Sequence, residues 1–280
     1  RSVKKVRLRQ KKGRVFSGDE KEPLYGETYL PRKFKCAVTV PGDNSVDILT
    51  QDIGLVAFTN SSGVLKGCNV YVGGGMGRTH NNEQTFARTA DSLGYVEASH
   101  VLDLVQSVLA LQRDYGDRKT RRHARMKYLL HDKGINWFKD ELINNYFPHT
   151  IKSLKVEPKR TLEDYLGWHR QSAGKWFVGI PLLSGRLSGQ LKKGLRQIVE
   201  LYQLDIRLTP NQDILLCNIG TYQRSSIRKD LCKLGIKSHE ATSPLARHSI
   251  ACPALPLCSL AVTEAERILP KVLLRIDIQL

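Results

Sequence analysis

Between Lys175 and Leu234 the hydrophobic pattern alternates between strand and helix periods, and the order of that alternation narrows the folds open to this chain. A strand-like run, Lys175 to Pro181, is followed by a helical stretch from Gln190 to Tyr202. Short strands come next, Asp205 to Leu208 and Asp213 to Asn218, on either side of the turn Thr209-Pro210-Asn211-Gln212. A helix from Ser226 to Leu234 closes the series. Strand, helix, strand, strand, helix is most of a ferredoxin-like split βαβ module, short of one strand.

The region upstream reads differently. After Pro23-Leu24-Tyr25-Gly26 come short strands, Cys36 to Val40, Val46 to Leu49, Leu55 to Phe58 and Cys68 to Val72, with turns at Pro41-Gly42-Asp43-Asn44 and Asn60-Ser61-Ser62-Gly63. From Val101 an apolar stripe, Val101, Leu104, Val105, Val108 and Leu111, predicts a helix packed on those strands. A second helix is expected from Arg118 to His131, and a third carrying Phe138, Leu142 and Tyr146. The polar stretch Ile151 to Glu163 reads as a linker. The fold class is α+β, with domains expected at 23–150, 151–240 and 241–280 behind a basic flexible segment, 1–22.

A net charge of +17 calls for an acidic partner: nucleic acid, an anionic membrane surface, a polyanionic cofactor or an acidic protein. Eight of the first fourteen residues are Lys or Arg, a block read as a solvated segment. Six cysteines without dense spacing point to free or metal-ligating thiols in a reducing compartment rather than disulfides. No apolar run spans a bilayer and no signal-peptide core follows the start, so the chain reads as soluble; with Arg1 first, it also reads as a fragment.

Four constellations carry chemistry. Lys33 and Lys35, flanked by Arg32, sit at alternate positions of an expected strand and share a face, which fits either an edge strand guarded by lysines or a small-anion pocket. Gly73, Gly74, Gly75 and Gly77 precede Arg78, Thr79 and His80; the run is either a flexible turn or backbone passing close to a bulky ligand. Arg118, Arg121, Arg122 and Arg125 would line one helical face, either solvated or opposite a polyanion. Cys252 and Cys258 are either buried thiols or half of a four-cysteine iron–sulfur site.

Five segments in order, Tyr29-Leu30-Pro31-Arg32-Lys33-Phe34-Lys35, Asn69 to His80, Arg125-Met126-Lys127-Tyr128, Tyr165 to His169, and Ala251 to Cys258 followed by Glu264-Ala265-Glu266-Arg267, closely resemble the nitrite/sulfite reductase hemoproteins, on the ferredoxin-dependent sulfite branch. The resemblance implies siroheme and a [4Fe–4S] cluster passing six electrons from ferredoxin to sulfite. It implies that Lys33 and Lys35 are catalytic, that Arg32, Gly73, Gly74, Gly75, Arg78, Thr79, His80 and Arg125 contact siroheme, and that Cys252 and Cys258 ligate the cluster. The remaining two cysteines are expected beyond Leu280, the 280 residues alone are expected to be inactive, and 241–280 is expected to begin a second siroheme and cluster domain. The compartment implied is cytoplasm, or alternatively plastid stroma. Nitrite reductase is the nearest rival, disfavoured by Lys35; a basic nucleic-acid-binding protein is the rival from another class, and secondary nucleic-acid binding remains compatible with the charge.

Overall fold

The computed structural model describes residues 24–236 and 239–279; the basic segment 1–22 lies outside them. The chain divides between Arg160 and Thr161 into two compact units.

Unit 1 is built on a four-stranded sheet in the order β1 (Cys36–Thr39), β2 (Ile53–Thr59), β3 (Leu65–Val72), β4 (Asp91–Glu97). The edge strand β1 runs parallel to β2, and the other pairs are antiparallel. Alternation along β2 and β3 sends Ile53, Leu55, Cys68, Val70 and Val72 to one face. There they meet α1 (Val101–Tyr115), α2 (Met126–Lys133) and α3 (Ile135–Asn145) through Leu104, Val108, Leu111, Leu130, Phe138 and Leu142. Each such side chain, fully buried, contributes about 1.5–3 kcal/mol. Val56 and Tyr71 point the other way, onto Ile48.

Several local expectations change. Val46 to Leu49 is not a strand: the Ile48 amide donates to Asn44 Oδ1 and a single 3-10 turn, Ile48–Thr50, forms instead. Lys33 and Lys35 precede β1 rather than lying in it. Arg118 to His131 is not one helix, because Asp117 Oδ1 accepts from the Lys119 and Thr120 amides in a turn and Arg121–His123 form a separate 3-10 turn before α2 begins at Met126. The stretch read as a linker is laid against unit 1 as far as Arg160: Lys152 exchanges both backbone hydrogen bonds with Tyr95, and buried Asn69 pairs with the backbone of Lys155 and with Glu157.

Unit 2 has the sheet order β5 (Gly167–Arg170), β6 (Trp176–Ile180), β8 (Ile214–Ile219), β7 (Asp205–Leu208), all antiparallel. Helices α4 (Gly189–Tyr202) and α5 (Arg224–Lys233) bury Leu195, Ile198, Ile227 and Leu231 against Val178, Ile180, Leu216 and Ile219. The fourth strand of the module is therefore β5, which enters from upstream and pairs with β6. Beyond the module lie α6 (Pro244–Arg247), capped by Ser243 and tied to the start of the unit by the Arg247–Asp164 ion pair at 2.6 Å, and α7 (Leu269–Gln279). Among the described residues no helix is long and apolar enough to cross a membrane.

Candidate cofactor and anion site

Arg125 occupies the position just before α2, in extended backbone, so its side chain leaves the helix at its first turn and turns back over the sheet. Its Nη2 donates to Asp52 Oδ2 at 2.8 Å; Asp52 is fully buried at the start of β2 and also accepts from the Lys35 amide at 2.9 Å. Burial pushes the Asp52 carboxyl upward, while Arg125 and the Lys35 amide pull it back. Asp52 thus fixes the segment before β1 to the segment before α2. The guanidinium also lies against Gly75: a Cβ there would stand 2.6 Å from Arg125 Nη1, so a larger residue would displace the guanidinium from its place over Asp52.

Behind this pair sits Lys127, an ammonium with no solvent exposure. It donates to the carbonyls of Gly75 at 3.1 Å, Gly77 at 2.7 Å and Phe86, and lies 4.8 Å from the centre of the Tyr128 ring. Burial, and after it the neighbouring Arg125 charge, lowers its pKa to about 8, with Asp52 opposing. Three carbonyl acceptors on one ammonium hold the loop from Gly75 to Phe86 in place. Thr85 finishes the loop, its Oγ1 accepting from the Thr79 amide at 2.8 Å.

The result is a cavity of about 420 Å³ lined by Arg32, Lys33, Arg78, Arg121, Arg122 and Arg125, with Thr79 between them and no carboxylate on the wall. Arg125 has Asp52 as its counter-ion, but the other five cations on the wall face no carboxylate there, and such a surface suits an anion bearing several charges. The Nε of Arg125 is buried without a hydrogen-bond partner, a donor left for a ligand to satisfy. On these observations the wall fits a ligand bearing several carboxylates or other anionic groups.

Of the residues singled out from sequence, Arg32, Lys33, Arg78, Thr79 and Arg125 meet in this cavity. Lys35 is exposed and outside the wall, although its amide is held by Asp52. His80 is exposed and also outside it. Gly73, Gly74 and Gly75 are buried, and their missing side chains are used by the protein itself: a Cβ on Gly74 would lie 2.3 Å from the Leu49 carbonyl. Arg118 is drawn off to the carbonyls of Thr28, Tyr29 and Arg113, so the arginine stripe dissolves and only Arg121, Arg122 and Arg125 of it reach the wall. Asp52 and Lys127 were not singled out. The available signal was a lysine inside the apolar run Met126 to Leu130.

Cys252 and Cys258 lie in unit 2, exposed and half-buried, on a loop in which the Leu257 and Cys258 amides both donate to the Ala254 carbonyl, at 2.9 and 2.8 Å. Two thiolates do not complete a four-cysteine cluster.

A family model described as the nitrite and sulphite reductase 4Fe-4S domain matches residues 10–151, and the nitrite/sulfite reductase ferredoxin-like half domain matches residues 169–234. Both spans exclude the cysteine pair. The chain is 54% identical over 272 residues to the sulfite reductase [ferredoxin] of Synechococcus elongatus, covering 96% of this chain and 43% of that protein. It is 40% identical over 269 residues to the sulfite reductase [NADPH] hemoprotein beta-component of Shewanella denitrificans, covering 93% and 46%. The solved structure of the Mycobacterium tuberculosis NirA protein superposes with a TM-score of 0.76 at 26% identity, covering 89% of this chain and 44% of that one. The chain thus spans less than half the length of these relatives.

Proposed function

Because the chain belongs to the nitrite and sulphite reductase family, we propose that it is the part of a ferredoxin-dependent sulfite reductase that grips siroheme and binds sulfite beside it. The observation that carries this reading is the six-cation wall with its unsatisfied Arg125 Nε. When bound, siroheme supplies a redox-active iron. The chain's own residues do the rest. Arg121, Arg122 and Arg125 hold carboxylates, with Arg125 fixed in direction by Asp52 and the loop of Arg78 and Thr79 fixed by Lys127. Arg32 and Lys33 offer cations to the sulfite dianion. Reduction of sulfite to hydrosulfide takes six electrons and seven protons and releases three waters, so a group that neutralises the anion and donates protons as S–O bonds break is required; Lys33, on the cavity wall, is assigned that role, with Lys35, exposed just outside the wall, as the second candidate.

The 54% identity to a protein named for ferredoxin favours ferredoxin as the donor, and the +17 charge suits an acidic protein of that kind. Residues 241–280 are assigned to the start of a second siroheme and cluster domain, in which Cys252 and Cys258 provide two of four thiolates. The free thiols suit a reducing compartment, cytoplasm or plastid stroma.

The test uses the complete protein with its cofactors. Lys33→Ala should lower sulfide formation from sulfite by roughly a hundredfold with siroheme content unchanged, the usual scale for a preorganised cation at developing charge. Near-normal turnover with siroheme bound would remove Lys33 from the mechanism. Parallel assays with nitrite give the ratio of kcat/KM that decides the preferred substrate.

A further inference from the structure

Beside a separate surface groove in unit 1 whose wall carries Asp103 and His149, those two residues and His100 bring three ligand atoms within 4.8 Å of one another. His100 stands immediately before α1 and Asp103 lies in its first turn, an i, i+3 spacing that places both on one side of the helix. His149 arrives from the segment after α3. Its ring stacks on His100 with centroids 3.8 Å apart and 19° between planes, and Phe147, fully buried, meets it edge-on at 5.1 Å. His149 is therefore held between Phe147 and His100, and His100 is stacked on its outer side, partly exposed.

The separations are informative. His100 Nδ1 and His149 Nε2 lie 3.9 and 3.8 Å from the same oxygen, Asp103 Oδ2. Hydrogen bonds between such atoms run to about 3.2 Å, so these contacts are too long to be hydrogen bonds. Donors sharing one tetrahedral ion at about 2.0–2.1 Å stand roughly 3.4 Å apart, a few tenths of an ångström less than each nitrogen-to-oxygen spacing, while the two nitrogens lie within 4.8 Å of each other.

We infer that His100, Asp103 and His149 form a divalent transition-metal site, independent of the basic cavity. Two imidazoles and one carboxylate select zinc, copper or nickel over magnesium or calcium, which take oxygen ligands. Closing the site requires the two rings to leave their stack, because near-parallel rings 3.8 Å apart cannot both aim an in-plane lone pair at one ion, and it leaves coordination open to water. A bound ion ties the start of α1 to the segment that runs on through Ile151 and Lys152 to pair with β4 at Tyr95. Its effect is to stabilise unit 1 by mass action.

The experiment is zinc titration of the full chain, followed by heat melting and by Cu2+ electron paramagnetic resonance. The wild-type chain should retain zinc through gel filtration, melt at higher temperature with it, and show copper coupled to imidazole nitrogens. His149→Gln and Asp103→Asn should each weaken zinc binding roughly tenfold or more, since even outer-shell changes cost tenfold to a hundredfold at metal sites. Zinc held by Cys252 or Cys258 would be unaffected by these substitutions. If His149→Gln alters folding by circular dichroism, His100→Gln decides. Equal zinc affinity in wild type and variants, or a copper spectrum without imidazole coupling, would overturn the assignment and leave a stacked histidine pair beside an aspartate.

Discussion

The basic cavity of unit 1 and the cysteine loop of unit 2 are built in opposite ways. The cavity gathers side chains from three stretches, around Arg32, Arg78 and Arg121–Arg125, and anchors Arg125 through a buried ion pair with Asp52, 73 residues away. The cysteine loop is a seven-residue span whose hydrogen bonds run within the loop and to its near neighbours at Thr263 and Glu266. The lesson is that the cavity depends on the folded state of its whole unit, whereas the loop has its chemistry in its spacing and contributes little to the core.

Mutations can break or sharpen that contrast. The largest effect is expected at Arg125. Arg125→Ala leaves the Asp52 carboxylate buried and unpaired, which costs about 3–5 kcal/mol. Urea unfolding followed by Trp137 fluorescence in α3 reports it, and the double variant with Asp52→Asn should lose less than the sum of the two single variants. Additive losses would mean that the pair does not act as a unit.

Next comes Lys127→Met, which orphans three carbonyls and should cost roughly 1–3 kcal/mol at neutral pH. Its pH dependence has a definite sign. The lysine pKa is about 8 when folded and about 10.4 unfolded, so between these values the unfolded state holds the extra proton. Wild-type stability should therefore rise with pH relative to Lys127→Met over that window, by about 2 kcal/mol. A flat difference would show that the ammonium stays charged in its carbonyl cage.

Unit 2 offers the opposite sign at Asp213, buried beside the Leu182 amide, where burial raises the carboxyl pKa to about 6. A raised folded pKa gives stability that is present below the unfolded value and lost as pH climbs through 6. The wild type should thus lose about 2 kcal/mol relative to Asp213→Asn between pH 4 and 7, read by Trp168 and Trp176 fluorescence. No relative loss would mean that the Leu182 amide keeps Asp213 ionised.

The smallest effect is expected at Cys252→Ser. This residue is exposed, and the change should alter folding stability by less than about 0.5 kcal/mol. A cost on the scale of Arg125→Ala would show that the loop carries packing after all and would erase the contrast.

Much of the fold could be read because its elements bury apolar stripes at fixed periods. The α1 stripe, α4 and the strand Asp205–Leu208 all lie where the pattern puts them. β4 was missed because Gly94 breaks the middle of Asp91–Glu97, and β5 because Gly167–Arg170 is only four residues long; both are recognisable by the strands they pair with. The helix expected from Arg118 to His131 failed because the Asp117 carboxylate holds the Lys119 and Thr120 amides in a turn, while the Arg118 side chain is drawn to the carbonyls of Thr28 and Tyr29, far off in sequence.

The sequence by itself determined the residue types and spacings that chemistry requires: the cations around Arg32 and Arg125, the glycines that admit a guanidinium, and the cysteine pair. Only the tertiary structure decided which charges are desolvated and what they face. Lys127 and Lys35 are both lysines near basic motifs, yet one is sealed against three carbonyls and the other stands in solvent. That difference arises from long-range packing, because removal of a charge from water depends on every segment that covers it and not on its neighbours in the chain.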